Sequence, residues 1–245
     1  VKIRHLTHSC LLVEVAGRRL LIDPGGFSLD AVRALDSEVL AGIDAVAITH
    51  QHPDHVHRGL LAEVLEASGE AIVVAEPETA AALAEPAGED APTGAAPAVP
   101  RERILELHAG AAHEFEAVDG EAPLRIAAVG GRHAIIHPDI PRVGNTGLVI
   151  SAGEGPRLGV TGDSHEPIEE FHGIDALAFA VVAPWSKMAE TIDFLRAVRP
   201  RLALPVHDGV ASAGGRGIYL NQATNLAPEG TEVRDWVDPD RTVEL

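Results

Sequence analysis

Cysteine occurs once in this chain, at Cys10, and lysine only twice, at Lys2 and Lys187. A lone thiol excludes an intramolecular disulfide and any cysteine-rich metal knuckle, and it fits a reducing compartment. Basic side chains are scarce overall: 19 stand against 37 acidic ones, for a net charge of -18. A surface so negative repels phosphate backbones and anionic leaflets, so the expected partner is a small molecule, with no nucleic acid and no membrane. A small anionic substrate is still compatible, because bound divalent cations dominate the field inside a pocket. Long apolar runs are missing as well. The longest, near ALAFAVVAPW (176–185), is too short to span a bilayer, and VKIRHLTHSC lacks the apolar core of a signal peptide. The resulting expectation is a cytoplasmic protein, with homo-oligomerisation left open.

What the chain does have is length and apolar content. With 245 residues and 46% hydrophobic side chains it can bury a sizeable core in one or two domains. Short β-type runs at 2–7, 10–15 and 19–23 surround a tight turn at Ala16–Arg18, and the last ends in an Asp-Pro-Gly-Gly loop. Further strands are expected at 43–49, 71–76, 102–107, 112–118, 123–129, within 147–163, at 175–183 and at 201–207. Helical spacing marks 56–68 and 187–198, and Pro77 opens a helix over 77–85. Residues 86–101 are rich in Pro, Ala and Gly. They read as a surface loop rather than an interdomain linker, so a single domain over 1–245 is expected. Pattern alone leaves the class at α/β or α+β, with two facing sheets and outer helices as a natural packing solution.

Histidines are crowded into one place. His50, His52, His55 and His57 fall beside Asp54, directly after the apolar strand 43–49. Residues two apart in extended backbone point to one side, and Pro53 keeps His52 extended, so His50 and His52 can converge on one point. Asp54 and His55, past the turn, can aim at a second. Neutral imidazole with carboxylate suits Zn²⁺ and related divalent ions.

The stretch THQHPDH (49–55) resembles the T-H-x-H-x-D-H signature of the metallo-β-lactamase superfamily, and HLTHSCLLVE and LLIDPGG resemble its opening strands. Within it the chain is most similar to small metal-dependent hydrolases grouped with ascorbate-6-phosphate lactonase. The resemblance implies an αββα sandwich of two mixed sheets flanked by helices. It implies His50, His52 and His133 on one metal, Asp54, His55 and His207 on a second, and Asp163 bridging them. It also makes Asp23 a carboxylate that orients these groups. His133, Asp163 and His207 each follow a predicted strand.

The implied cofactors are two divalent ions, Zn²⁺ first, with Mn²⁺ or Fe²⁺ acceptable. The implied reaction is attack of an activated hydroxide on a small ester, lactone or phosphoester. Asp54 and Asp163 are the expected catalytic carboxylates, while His137, His165, Trp185 and Lys187 are candidate substrate contacts. Two alternatives stand beside this: an iron-dependent oxidoreductase of the same fold, similar to persulfide dioxygenases, and a non-catalytic binding protein stabilised by metal. His57 reads as a helix-start residue. His5 and His8 flank the first strand, near where metals would lie. His108, His113 and His172 carry no motif.

Overall fold

The computed structural model describes residues 1–118, 120–237 and 240–245. Two seven-stranded mixed sheets face each other, with helices on both outer faces. The first sheet contains β1 (Lys2–Thr7), β2 (Cys10–Val15), β3 (Arg18–Ile22), β4 (Ala45–Ile48), β5 (Ile72–Ala75) and β6 (Ile104–Glu106). The second contains β7 (Ala112–Phe115), β8 (Leu124–Arg132), β9 (Gly144–Ala152), β10 (Leu158–Val160), β11 (Ala176–Ala180), β12 (Leu202–Val206) and β13 (Glu232–Val233). The chain then returns, and β14 (Thr242–Glu244) pairs with β1 at the edge of the first sheet.

The spatial orders are β14-β1-β2-β3-β4-β5-β6 and β13-β12-β11-β10-β9-β8-β7. In each, antiparallel neighbours give way to parallel ones: β3 with β4 in the first sheet, β10 with β11 in the second. The switch follows from the connections. Ala16 and Gly17 both take positive φ in the β2–β3 hairpin, as a tight two-residue turn requires. The parallel strands are joined by longer crossovers. β4 and β11 are buried at every residue, as expected of parallel strands covered on both faces.

Three apolar layers result. Ile3, Leu11, Leu20, Ile126, Ile150 and Leu204 belong to the layer between the sheets. Outside the first sheet lie α1 (Leu29–Arg33), α2 (Ser37–Ala41), α3 (Arg58–Ser68) and α4 (Pro77–Leu83); α3 buries Leu60, Leu61, Val64 and Leu65. Outside the second lie α5 (Met188–Val198) and α6 (Ala213–Leu226); Phe194 and Leu195 of α5 and Ala223 of α6 share an apolar cluster with Phe179 of β11. This is the αββα sandwich. Among the described residues no helix is long and apolar enough to cross a membrane.

The Pro- and Gly-rich stretch after α4 carries one isolated bridge, Ala87 to Ala96. On its two sides β5 and β6 pair in parallel register, Val73 opposite Ile104, so the chain leaves and re-enters the same sheet. The expected strand at 123–129 runs on to Arg132. Helices α1, α2 and α6, and strands β13 and β14, have no counterpart in the sequence reading. Helix α6 buries only Ala223, so it lacks the apolar stripe that marks a helix in sequence.

Candidate metal centre

The ends of five strands meet at one edge of the sandwich. β3 runs into Asp23, β4 into Thr49 and His50, β8 into His133, β10 into Asp163 and β12 into His207. Potential ligand atoms fall into two sets, each within 4.8 Å of one another: His50, His52, His133 and Asp163 in one, His8, Asp54, His55 and His207 in the other. All seven expected ligands are thus brought together, and His8 joins them. Asp163 faces both sets. Its Oδ1 lies 3.1 Å from His55 Nε2, and its Oδ2 lies 3.2 Å from His133 Nε2 and 3.3 Å from His207 Nε2.

Proton accounting shows what this arrangement needs. A neutral imidazole has one N–H. His55 donates Nδ1–H to Asp23 Oδ2 at 2.8 Å, and His207 donates Nδ1–H to the Val182 carbonyl at 2.8 Å. His133 donates Nδ1–H to the Ala134 carbonyl at 2.6 Å. Thr49 gives its hydroxyl proton to Asp23 Oδ2 at 2.7 Å, which leaves its oxygen to accept His50 Nδ1–H at 3.1 Å. Four Nε2 lone pairs therefore point inward: those of His55, His133 and His207 toward Asp163 oxygens, and that of His50 toward His52 Nδ1 at 3.1 Å. His55 Nε2, His207 Nε2 and Asp163 Oδ1 are buried with no hydrogen-bond partner. Lone pair against lone pair at such distances calls for positive charge between them. Imidazole nitrogens with carboxylate oxygens suit Zn²⁺, Mn²⁺ or Fe²⁺, so the residues present fit divalent cations.

The electrostatics say the same. Burial would push the Asp163 carboxyl up, but the neighbouring His55, and the bonds His133 and His207 would donate when protonated at Nε2, hold it well below the usual carboxylate range. Burial opposes a charge on His55, yet Asp163 and Asp23 hold its pKa well above normal. His207, likewise opposed by burial, is raised to about 9 because a second proton, on Nε2, would bond to Asp163 and Asp54. Protons are drawn to the very atoms at which cations would sit.

A surrounding layer aims these groups. Asp23, in a left-handed backbone conformation, accepts from the Thr49 amide at 2.8 Å as well as from the Thr49 and His55 side chains. Asn145 is buried, and its Oδ1 accepts the Asp163 amide at 2.8 Å. Trp185 does more than wall the site, because its Nε1–H donates to Asp163 Oδ2 at 2.7 Å. A hydrogen bond to a charged acceptor contributes about 2 kcal/mol, and loss of such an orienting partner typically costs at least about tenfold in metal affinity. Trp185→Phe is therefore expected to keep the fold and weaken metal binding about tenfold, read by chelator competition. Unchanged affinity would remove this role.

The loop 23–26 packs on the ligand loop so closely that a side chain cannot fit between them. A Cβ on Gly25 would sit 1.7 Å from the Asp54 carbonyl oxygen. Gly25→Ala must displace the segment carrying Asp54 and His55. Overpacking of this kind costs about 1–3 kcal/mol or more, which corresponds to a melting point lower by about 5 °C. We expect that shift together with reduced metal loading; a variant with wild-type Tm and loading would contradict the packing described.

Other candidates lie apart. His165 is largely buried beside Trp185, but Nε2 donates to the Ala180 carbonyl at 2.9 Å and Nδ1 accepts from the Ser186 hydroxyl at 3.1 Å, so both ring nitrogens are engaged. His137 is exposed beside Asp139. Lys187 is 85% exposed, precedes α5 and pairs with Glu190. His57 is the N-cap of α3, where its Nδ1 accepts the Leu60 amide. His8 stood in the sequence as a flank of the first strand near where metals would lie, not as a member of either ligand set. The available signal was its place in the two-residue turn between β1 and β2, where asparagine, aspartate or glycine is usual.

Residues 2–207 match the family described as the β-lactamase superfamily domain. Protein Rv0786c of Mycobacterium tuberculosis is 36% identical over 235 residues, covering 95% of this chain and 96% of its own length. Two solved structures share the fold at low identity. Igni18, a metallo hydrolase of the hyperthermophilic archaeon Ignicoccus hospitalis, has a TM-score of 0.66 at 21% identity, over 99% of this chain and 97% of that one. The metallo-β-lactamase fold protein YhfI of Bacillus subtilis has a TM-score of 0.64 at 16% identity, over 96% and 95%.

Proposed function

The chain belongs to the β-lactamase superfamily, a metal-dependent hydrolase family of the metallo-β-lactamase fold, and from that premise we propose that it hydrolyses a small carboxylic ester or lactone at a dinuclear centre. The observation that carries this reading is the set of buried, unpartnered acceptors, His55 Nε2, His207 Nε2 and Asp163 Oδ1, converging with His50, His52, His133 and Asp54. His50, His52 and His133 would hold one cation, and Asp54, His55 and His207 the other, with Asp163 between them. When bound, such ions supply Lewis acidity and lower the pKa of water toward neutrality.

The protein's own groups do the rest. Asp163 stays ionised and is kept in line by Trp185 and Asn145. Asp54 is the one carboxylate of the cluster with substantial exposure, at 27%, so solvent water reaches it. Burial would raise its pKa, but hydrogen bonds with His207 and His8 hold it far below the usual range. Such a carboxylate stays ionised and orients a water by accepting its hydrogen bond.

Two cavities flank the centre. One, of about 470 Å³, is walled by His52, Pro53, Val56, Leu83, Ile140 and Val143. The other, of about 740 Å³, is walled by Ile135, Arg142, His165, Trp185, Glu190 and others. The first offers an ester an apolar seat next to a ligand; the second is more polar. This favours a substrate with an apolar body over a phosphorylated sugar, the choice suggested by the lactonase resemblance.

The test is a panel of aryl and alkyl esters, lactones and phosphodiesters, assayed with protein reconstituted separately with Zn²⁺ and Mn²⁺. Metal-dependent turnover of esters or lactones, lost on chelation, is the expected result. Metal occupancy without turnover of any panel member would favour a binding protein. Stoichiometric iron with substrate-dependent oxygen uptake would favour an oxidoreductase.

A further inference from the structure

His8 differs from His50, His55, His133 and His207 in where its proton sits. The Gly209 amide donates to His8 Nδ1 at 3.0 Å. That nitrogen is therefore the acceptor, and the proton of the neutral ring is on Nε2. Nε2 lies 3.3 Å from Asp54 Oδ2. His50, His55, His133 and His207 do the opposite, spending Nδ1–H on an outer acceptor and presenting a bare Nε2. By distance alone His8 belongs with the four potential ligands of its set. By tautomer it cannot ligate, because a cation needs a lone pair where His8 carries a hydrogen.

The setting locks this arrangement. His8 is 1% exposed, its ring lies against Phe27 and His207 with centroids 4.6 and 4.1 Å away, and its backbone is left-handed at φ 53°. A non-glycine residue in that conformation costs about 1–2 kcal/mol and persists only where its surroundings over-determine it. Here they do. The His8 carbonyl accepts the His207 amide at 2.9 Å and His5 Nε2–H at 2.7 Å. His5 is itself fixed in that tautomer by Arg241, whose Nη2 donates to its Nδ1 at 2.5 Å. Gly209 must lack a Cβ, which would sit 3.0 Å from His8 Nδ1 and 3.1 Å from Phe27. A glycine at position 8 would remove the strain, but it would also remove the N–H.

We propose that His8 is a positioning residue and not a ligand: its locked Nε2–H holds Asp54 Oδ2 in place for the cation that Asp54 shares with His55 and His207. The inference rests on the dinuclear reading above, but its test does not read turnover. Wild-type protein labelled with ¹⁵N at histidine and loaded with ¹¹³Cd²⁺ is examined by NMR. The expected spectrum has ¹¹³Cd–¹⁵N coupling at Nε2 of His50, His55, His133 and His207. His8 is expected to show a protonated Nε2, a bare Nδ1 and no coupling. Coupling to His8 Nε2 overturns the proposal.

Two variants add an independent reading by metal analysis and chelator competition. His8→Gln, whose amide can place an N–H at similar reach, is expected to bind two Cd²⁺ per chain with affinity near wild type. His8→Ala is expected to weaken the site containing Asp54 about tenfold. Loss of one equivalent from the Gln variant, or wild-type affinity in the Ala variant, also overturns the proposal. Absence of turnover with the expected NMR pattern would sink the hydrolase reading alone.

Discussion

Asp163→Asn is expected to fold normally, bind less than a tenth of the wild-type metal and lose at least about 10³-fold in turnover. Both oxygens of Asp163 face imidazole lone pairs, and Oδ2 also accepts the Trp185 indole N–H. In asparagine the amide oxygen can keep the indole bond, which turns the NH₂ toward His55 Nε2. That NH₂ donates to a lone pair that otherwise lacks a partner, so the metal-free fold is satisfied. The same NH₂ puts hydrogens where a cation would sit and deletes the charge shared by the two ligand sets. Removing a centre that supplies several kcal/mol of transition-state stabilisation costs several factors of ten in rate. His50→Ala is expected to act in the same direction through the set it shares with His52, His133 and Asp163. Metal analysis, steady-state kinetics and a melting curve on each variant check this; wild-type loading and turnover in either would remove it from the ligand set.

The readability of the centre follows from how local its signals are. His50, His52, Asp54 and His55 sit within six positions after a buried strand, and their residue types have no common cause but a cation. His133, Asp163 and His207 are isolated in sequence and stood out only as strand-end residues in the order a familiar family leads one to expect. His8 and Asn145 gave no such sign, because their roles depend on backbone brought from far away: Gly209 for His8, and the Asp163 amide for Asn145. Trp185 read as a substrate contact, since sequence shows an apolar ring and hides the direction of its N–H. The sandwich was legible through its strands, most of which came within three residues of their place. Strand β14 was not, because its register is set by pairing with β1 across the whole chain. Nor was α6, whose three internal glycines and single buried residue give no periodicity to read.

Stripping the metal should reverse the pH dependence of stability. In metal-free protein the converging acceptors are compensated by protons, chiefly on His55 and His207. The folded pKa of His207, about 9, lies above the 6.5 of an unfolded histidine, so its contribution is fully present below pH 6.5 and is lost as pH rises to 9. That interval corresponds to about 3 kcal/mol, or about 6–12 °C in Tm for a chain of this size. His55 adds in the same direction. Asp163 and Asp54 set the acid side: their folded pKa values are depressed, so their contribution holds above about pH 4 and falls away in stronger acid. The chelated protein should therefore be most stable near pH 5–6 and melt progressively lower toward pH 9. Loaded protein should behave oppositely, because cations need bare Nε2 atoms and compete with protons for them. Free metal at a hundred times its Kd adds about 2.7 kcal/mol per site, so the two melting curves should lie farthest apart in mild alkali and converge in acid. Thermal melts from pH 5 to pH 9, with and without chelator, read both slopes at once. A chelated protein whose Tm is flat from pH 6.5 to 9 would mean that His55 and His207 are not the proton-binding sites facing Asp163, and the cation assignment built on those lone pairs would fall with them.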